Sequence, residues 1–418
     1  MINYKEREYL RDLAKRQLEI SRLPETEEKI KLWYAHNECR AERPVFTSEI
    51  NTFLSELEPP LVCESEDARS IERQILVNLL THEYLHDDRV IPGEFTLPKA
   101  DGGFLAFNAE PLRTDAFDRD GKRTHGYHLD VVIDDLERGF DKIERSKYSV
   151  KSAEGSEFAR LCEETLGDIL PVRYTSGFGF SPANKIFVLL GLEGMMTSLC
   201  DYPDKFHRLM RMLTDDVLSY MREFEERDLL TLNNDGTRVA QGTCGYTTEL
   251  PAADFGNGRD RVLWKDLWGY LDSQETVSIS PAMFNEFFFT YFKEIADNLG
   301  FLSYGCCEPV SSFWDDSLSR FTNLKKISIS PWCDENFIGE RLAGTKIIYH
   351  RKPRPDYLGV HETFDEDGFR AHLLETIRAA KSCTLEFSYR DVYSLRGDKY
   401  RAKKVYETAL DMFERYWA

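Results

Sequence analysis

FLSYGCCEPVSSFWDDSLSRFTNLKKISISPW, residues 301–332, is the stretch that decides the fold. Its two runs, FLSYGCCEP (301–309) and KKISISPW (325–332), each hold a strand's length of largely apolar residues and close on polar ones. Runs of that length separated by crossover-sized links mark parallel strands. The unit recurs at LLTLNN (229–234), LWGYLDSQET (267–276), KIIYHRKP (346–353) and CTLEFSYRD (383–391), and strand candidates at 89–97 and near Phe187 bring the set to eight. Helix signals fill the links: Ser280-Pro281 opens a helix that Gly300 closes, and 365–381 and 400–417 supply the last two. The expected fold is α/β, a (β/α)8 TIM barrel.

Upstream the pattern is helical. Apolar residues three and four apart (Leu10, Leu13, Ala14, Leu18; Ile30, Trp33, Tyr34) run through 3–57, and a further helix spans 65–84. Residues 1–85 therefore read as an N-terminal helical extension and 86–418 as the barrel. Residues 99–126 are polar, rich in Gly and Asp, and read as a long loop. The 54 basic against 73 acidic side chains give a net charge of -19, which disfavours nucleic acid and anionic membranes as partners. The opening MINYKEREYLRDLAKRQ lacks the apolar core of a signal peptide. The most apolar stretch, 185–196, is shorter than the ~20 residues of a membrane helix and contains Glu193. Nine cysteines without framework spacing suit a reducing compartment. A cytoplasmic protein is expected; nothing in these features specifies an oligomeric state.

Active sites of such barrels lie at the C-terminal ends of the strands, so the residues closing each run are the candidates. Cys306, Cys307 and Glu308 close one run. Neighbouring thiols on a strand face opposite ways, so one reaches the mouth and the other packs as a small hydrophobe. Glu386, among apolar or small residues, is an inward acid or half of an ion pair with Arg351 or Lys352. Asn233, Asn234, Asp272, Gln274 and Glu275 close two more runs and either hydrogen-bond a polar substrate or cap loops. Arg351, Lys352 and Arg354 form a basic cluster. His350 reads as a satisfied strand histidine, Cys333 and Cys383 as packing residues, and Asp87 and Asp88 as a solvated loop. Among Trp268, Tyr270, Tyr304, Trp332 and Tyr389 most read as core, and one or two, Trp332 the candidate, as the wall of a methylated-amine pocket through cation–π contact. The glycine cluster at 256–261 follows no strand, so no dinucleotide site is expected.

From residue 272 the chain reads DSQETVSISPAMFNEFFFTYFKEI (272–295), then Tyr-Gly-Cys-Cys-Glu-Pro (304–309), Ser-Pro-Trp (330–332), Arg-Lys-Pro (351–353) and a last run with Glu386 and Asp391. This succession resembles the uroporphyrinogen decarboxylase superfamily, which also contains methylcobamide:coenzyme M methyltransferases. It is most similar to the corrinoid-associated, methyltransferase-like branch. The motifs cover about half of the chain, and the N-terminal half matches more loosely.

The resemblance implies a methyltransferase component of a corrinoid-dependent system. It would move a methyl group between a small O- or N-methylated compound, or a thiol or other acceptor, and a corrinoid protein. The corrinoid would ride on that partner, since no Asp-x-His-x-x-Gly motif is present here. Cys307, Glu308 and Glu386 are the expected catalytic residues. Asn233, Asn234, Asp272, Gln274, Glu275, Trp332, Arg351 and Lys352 are the expected substrate-binding residues. Zinc on Cys306, Cys307 and Glu386, with His350 or Glu308 in reserve, would lower a thiol's pKa. Two departures stand out: the arginine-rich N-terminal grip of the decarboxylases is absent, and Tyr304 or Gly305 stands where the zinc enzymes carry histidine. Decarboxylation of a carboxylated substrate, or non-catalytic binding of a tetrapyrrole or corrinoid, are the alternatives.

Overall fold

Every short apolar run from residue 267 onward folds as a strand of one parallel sheet. The computed structural model describes residues 2–417 apart from positions 118, 120 and 122. In chain order the strands are β1 (Val45–Ser48), β2 (Phe95–Pro98), β3 (Val172–Thr175), β4 (Phe178–Phe180), β5 (Trp268–Leu271), β6 (Phe301–Tyr304), β7 (Leu324–Ile329), β8 (Ile348–Arg351) and β9 (Thr384–Tyr389). Seven are hydrogen-bonded in the order β1-β9-β8-β7-β6-β5-β4, all parallel. Strands β5 to β9 lie side by side in sequence and the first strand pairs with the last, which is how a βα barrel winds round. β2 and β3 make a separate parallel pair, and only Ser176 and Gly177 separate β3 from β4. Among the described residues no ladder joins β1 to β2 or β4. The fold is thus mixed α/β with a parallel central sheet, open on one side.

Polar side chains finish the open edge. Phe46 and Ser48 of β1 donate their N–H groups to Asp88 Oδ2 at 2.9 Å and Asp87 Oδ2 at 2.6 Å, where a further strand would have offered carbonyls. Both carboxylates are buried. Asp88 is held in turn by two N–H groups of Arg43, at 2.7 and 2.9 Å, and by the Tyr406 hydroxyl at 2.7 Å. A strand edge left bare invites wrong pairing; here it is capped from within the chain. The solvated loop expected for Asp87 and Asp88 is in fact this buried cap.

Helices cover the sheet and close its N-terminal end. α1 (Tyr4–Ser21) begins with a capping box of Asn3 and Glu6 and buries Leu10, Leu13 and Ala14. α2 (Pro24–Asn37) begins on Pro24 and buries Trp33, His36 and Asn37 in its later turns. Trp33 Nε1 donates to the Asp88 carbonyl at 2.8 Å, and the Asn37 amide donates to the Cys244 and Tyr246 carbonyls at 2.9 Å. α3 (Glu66–Leu80) packs on α1. α4 (Pro182–Asp201) is the one helix among the described residues long and apolar enough to cross a membrane. Its Ala183, Ile186, Leu189, Leu190, Met195 and Leu199 belong to the main core. α5 (Pro203–Glu226), the helical segment 281–296, α6 (Glu335–Leu342), α7 (Glu366–Ala379) and α8 (Arg401–Tyr416) follow, with a further helix at Glu157–Leu166 and several single turns among them. α8 lays Phe413 on Phe387 of β9 and Tyr406 on Phe46 of β1.

Five expectations fail for local reasons. Val45–Ser48, inside the presumed helical extension, is the first strand of the sheet; all four residues are buried, so no alternation betrayed it. The strand expected near Phe187 is helix α4, because an apolar run alone does not separate a buried helix from a buried strand. At 89–97 only Phe95–Pro98 is strand. Residues 229–234 are not a strand: Asn233 instead turns its side-chain amide into a substitute peptide group, giving and taking 3.0 Å hydrogen bonds with the backbone of Trp268. The presumed loop 99–126 contains Ala100–Leu105, antiparallel to Lys147–Ser152, and Arg113–Phe117, paired with Arg123–Leu129.

Removing a partner of a buried, hydrogen-bonded charge typically costs about 3–5 kcal/mol. Asp88→Ala should lower unfolding free energy by that amount in urea; a loss below ~1 kcal/mol would mean that the edge of β1 is held some other way.

Candidate functional site

Side chains alternate across a strand, and here the inward set is polar. Pairing places Lys326 and Ser328 (β7), His350 (β8), Glu386 and Ser388 (β9) and Thr47 (β1) on one face, with Lys352 and Arg390 continuing it just beyond β8 and β9. A hairpin, Arg238–Ala240 with Thr243–Cys244, packs against this face of the sheet. Thr243 Oγ1 accepts from Lys326 Nζ, and Thr47 Oγ1 donates to the Gly242 carbonyl at 2.7 Å. Gly242 has φ +75°, and a Cβ there would stand 2.4 Å from Ser388 Oγ. Only glycine lets the tip pass so close.

The floor of this interior is an ion cluster. Lys326 Nζ donates to Glu386 Oε2 at 2.6 Å, and His36 Nε2 lies 3.0 Å from the same oxygen. His350 Nε2 meets Ser388 Oγ at 2.6 Å and lies 3.8 Å from Glu386 Oε1. Burial alone would raise the Glu386 pKa, but Lys326, His350 and His36 outweigh it and hold the carboxyl well below its ordinary value. Glu386 is therefore a structural anion in the floor, not the catalytic acid or metal ligand expected of it.

At the C-terminal end the thiols converge with two cations. Gly305, at φ +99°, turns the chain after β6. Cys306 then lies in the mouth, its Sγ 3.6 Å from Cys307 Sγ, 3.2 Å from Gln241 Nε2 and 3.8 Å from an Arg390 nitrogen. Lys352 Nζ donates to Gln241 Oε1 at 2.6 Å and to the Cys306 carbonyl at 3.2 Å. The hydrogen bond from Cys307 pulls the Cys306 pKa down against burial, helped by Lys352, Gln241 and Arg390. Cys307 moves up, because it is the partner that keeps the shared proton. Cys306 is the thiol of the pair that faces Gln241 and Arg390, whereas Cys307 was the one expected to be catalytic.

Glu308 supports this turn from beneath. It is buried and accepts the N–H groups of Cys306 at 2.8 Å and Ser273 at 2.9 Å. Burial, with Asp272 nearby, pushes its pKa up to about 7. It is a positioning residue, since its carboxylate is spent on the backbone.

Of the expected substrate-binding residues, Lys352 is in the mouth. Asp272 accepts from the Tyr270 hydroxyl at 2.7 Å, and Glu275 accepts from Asn184 at 2.7 Å. Both carboxylates act electrostatically on Lys185, whose pKa burial lowers. Gln274 is exposed, and Trp332 is 74% exposed, outside any core. Asn233 serves Trp268, and Asn234 binds the Thr247 and Leu250 carbonyls at 3.0 and 2.8 Å. Arg351, alternating with Lys352, faces outward and bonds Glu335 and the carbonyls of Ile329 and Ser330. Arg354 pairs with Asp356.

Zinc does not fit the set Cys306, Cys307 and Glu386. Among the described residues the one group of three or more His, Cys, Asp or Glu donors close enough to share an ion is Glu25, His82 and His86. Gln241 and Arg390 were missed altogether. Arg390 was within reach, being four residues beyond inward-facing Glu386 in one alternating strand. Gln241 comes from a hairpin with no strand pattern of its own.

The mouth is covered as well as charged: Cys306 is only 6% exposed. Gln241→Ala, which removes the cover, should raise the rate of Cys306 alkylation by iodoacetamide several-fold at neutral pH, followed by peptide mass spectrometry. An unchanged rate would mean that the thiol is approached by another route.

The floor makes a second, pH-dependent prediction. Burial pushes the His350 pKa down to about 3 and that of His372 to about 4. An unfolded histidine takes up its proton near pH ~6.5, so below that pH the unfolded state binds more protons and gains on the folded one. Stability should be complete above that value and fall as acid is added toward the folded pKa. The urea midpoint should drop between pH 7 and pH 5, and drop less in His350→Asn; equal drops would contradict a neutral buried His350.

No family model matches the chain, and no curated protein matches it. Among solved structures, a methyltransferase from Methanosarcina mazei is similar at 12% identity with a TM-score of 0.49, covering 93% of this chain and 98% of that one.

Proposed function

We propose that this chain is the methyltransferase component of a corrinoid-dependent system, transferring a methyl group between a small O- or N-methylated compound and a corrinoid carried by a partner protein. The observation that carries the reading is the charged thiol at the barrel mouth, Cys306 beside Lys352 and Arg390, on the strand end whose motif resembles that branch.

Such a transfer leaves the carbon–heteroatom electron pair on the oxygen or nitrogen, which must gain a proton, while the acceptor's pair makes the new bond to carbon. The corrinoid supplies the cobalt that takes the methyl group. Lys352 is the residue placed to hold the proton: burial lowers its pKa, and the neighbouring Cys306 thiolate raises it again and keeps it oriented. Arg390 is bracketed by Glu49 and Asp391, at 3.5 and 3.4 Å, which fix its guanidinium beside the sulfur. The space among Gln241, Tyr270, His350 and Lys352 is about 10 Å³, so a substrate enters once Gln241 swings away. A space of that size does not admit a corrin ring, so on this reading the corrinoid is presented from outside by its partner. Decarboxylation would need several free cations, and Arg351 and Arg354 are committed to Glu335 and Asp356.

The chain mixed with reduced cobalamin and a panel of O-methyl and N-methyl compounds should produce methylcobalamin, read by absorbance, from one donor class. Lys352→Met should reduce that rate by about 100-fold or more while the fold survives. Failure with every donor would count against the proposal.

A further inference from the structure

We infer that Glu25, His82 and His86 form a divalent-metal site, with zinc the fitting ion, far from the barrel mouth in role and made of no residue used there. Glu25 stands in the first turn of α2, His82 lies within the five-residue π-helical turn Thr81–Leu85 that ends α3, and His86 caps that turn. The donor atoms of all three lie within 4.8 Å of one another. His82 Nδ1 is 3.6 Å from Glu25 Oε1, and His86 Nε2 is 3.8 Å from Glu25 Oε2. These gaps are too long for hydrogen bonds. They lie close to the ~3.4 Å edge of a tetrahedron whose metal–ligand bonds are ~2.0–2.1 Å. The three side chains are 25–40% exposed, so water can complete the coordination and the ion has a way in.

Two further observations point to a cation. His86 Nδ1 lies 3.3 Å from the His82 carbonyl, to which it donates. That hydrogen bond places a proton on Nδ1, so in the neutral ring Nε2 presents a lone pair 3.8 Å from a carboxylate oxygen. Metal-bound histidines are oriented by just such a bond on the other nitrogen. Two acceptors facing each other repel unless a proton on Nε2 or a metal ion lies between them, and the 3.8 Å gap is longer than a hydrogen bond from such a proton would leave. His86 holds φ +52°, the left-handed cap that ends the helical turn. The π-turn and this cap together bring the two imidazole rings to 5.3 Å between centroids. An imidazole pair with one carboxylate is a donor set suited to zinc.

The site has a structural consequence. His86 is followed directly by Asp87 and Asp88, which cap the edge of β1. An ion there would tie α2, the end of α3 and the edge cap together, and binding only the folded state would raise the melting temperature.

The test is titration of the metal-free full chain with zinc chloride by calorimetry, with thermal melting alongside. One equivalent should bind and raise the melting temperature in the wild type, and both effects should be lost in His82→Gln and in His86→Ala. Cobalt(II) in place of zinc should show ligand-field absorption without a thiolate charge-transfer band, which separates this site from the Cys306–Cys307 pair. Absence of binding, zinc uptake unchanged in both variants, or a thiolate band would overturn the inference. His82→Gln keeps the test valid if the left-handed His86 position does not tolerate substitution.

Discussion

An ammonium and a carboxylate, Lys326 and Glu386, meet at 2.6 Å in the fully buried floor of the barrel, and most of the interior is arranged around them. Taking two charges out of water is costly, and their attraction offsets that cost only if the remaining polar atoms are also served. His36 from α2 and Thr243 from the inserted hairpin do so, and the rings of Trp33 and Trp268 lie 5.2 and 5.5 Å from the ammonium. One pair therefore ties together a helix, the hairpin packed against the sheet and two non-adjacent strands. A barrel with aliphatic layers inside holds itself together by packing. Here the face inside the sheet is matched by charge while the outer face packs on the helices through an apolar core, which leaves the interior sensitive to acid.

The same polarity explains how an incomplete sheet persists. Asp87 and Asp88 supply acceptors to the bare edge of β1, Asn233 imitates a peptide group beside Trp268, and the hairpin packs against the inner face. A cavity of about 490 Å³ remains on the open side, lined among others by Glu49, Arg89, Arg173, Thr175 and Arg238. Side chains thus do work that backbone ladders do elsewhere.

That substitution also marks the limit of what the sequence discloses. Strands β5 to β9 were legible because each apolar run closes on polar residues; Arg351 and Lys352 were both expected to bind substrate, and the structure turns Arg351 outward onto Glu335 while Lys352 enters the mouth. β1 was not legible, because four buried residues carry no period. Residues 229–234 misled, because an asparagine that binds like a peptide is spelled like the end of a strand. At the site, Cys306, Lys352 and the turn at Gly305 were within reach of strand-end logic. The choice between Cys306 and Cys307 was not, since it depends on Gln241, more than sixty residues upstream, and on Arg390.

Cys307, Lys352, Gln241 and Arg390 together favour the thiolate form of Cys306, and Gln241, delivered by the hairpin, also covers it. A thiolate in that position can orient a proton-bearing lysine beside a methylated substrate; a neutral thiol would leave Lys352 without its counter-charge. The most direct measurement is an ultraviolet titration of thiolate absorbance in the intact chain, compared with Cys306→Ser. The account predicts one thiolate already present at neutral pH and absent from the variant, with Cys307 remaining protonated far into the alkaline range. No thiolate signal at neutral pH, or the same signal in Cys306→Ser, would contradict it.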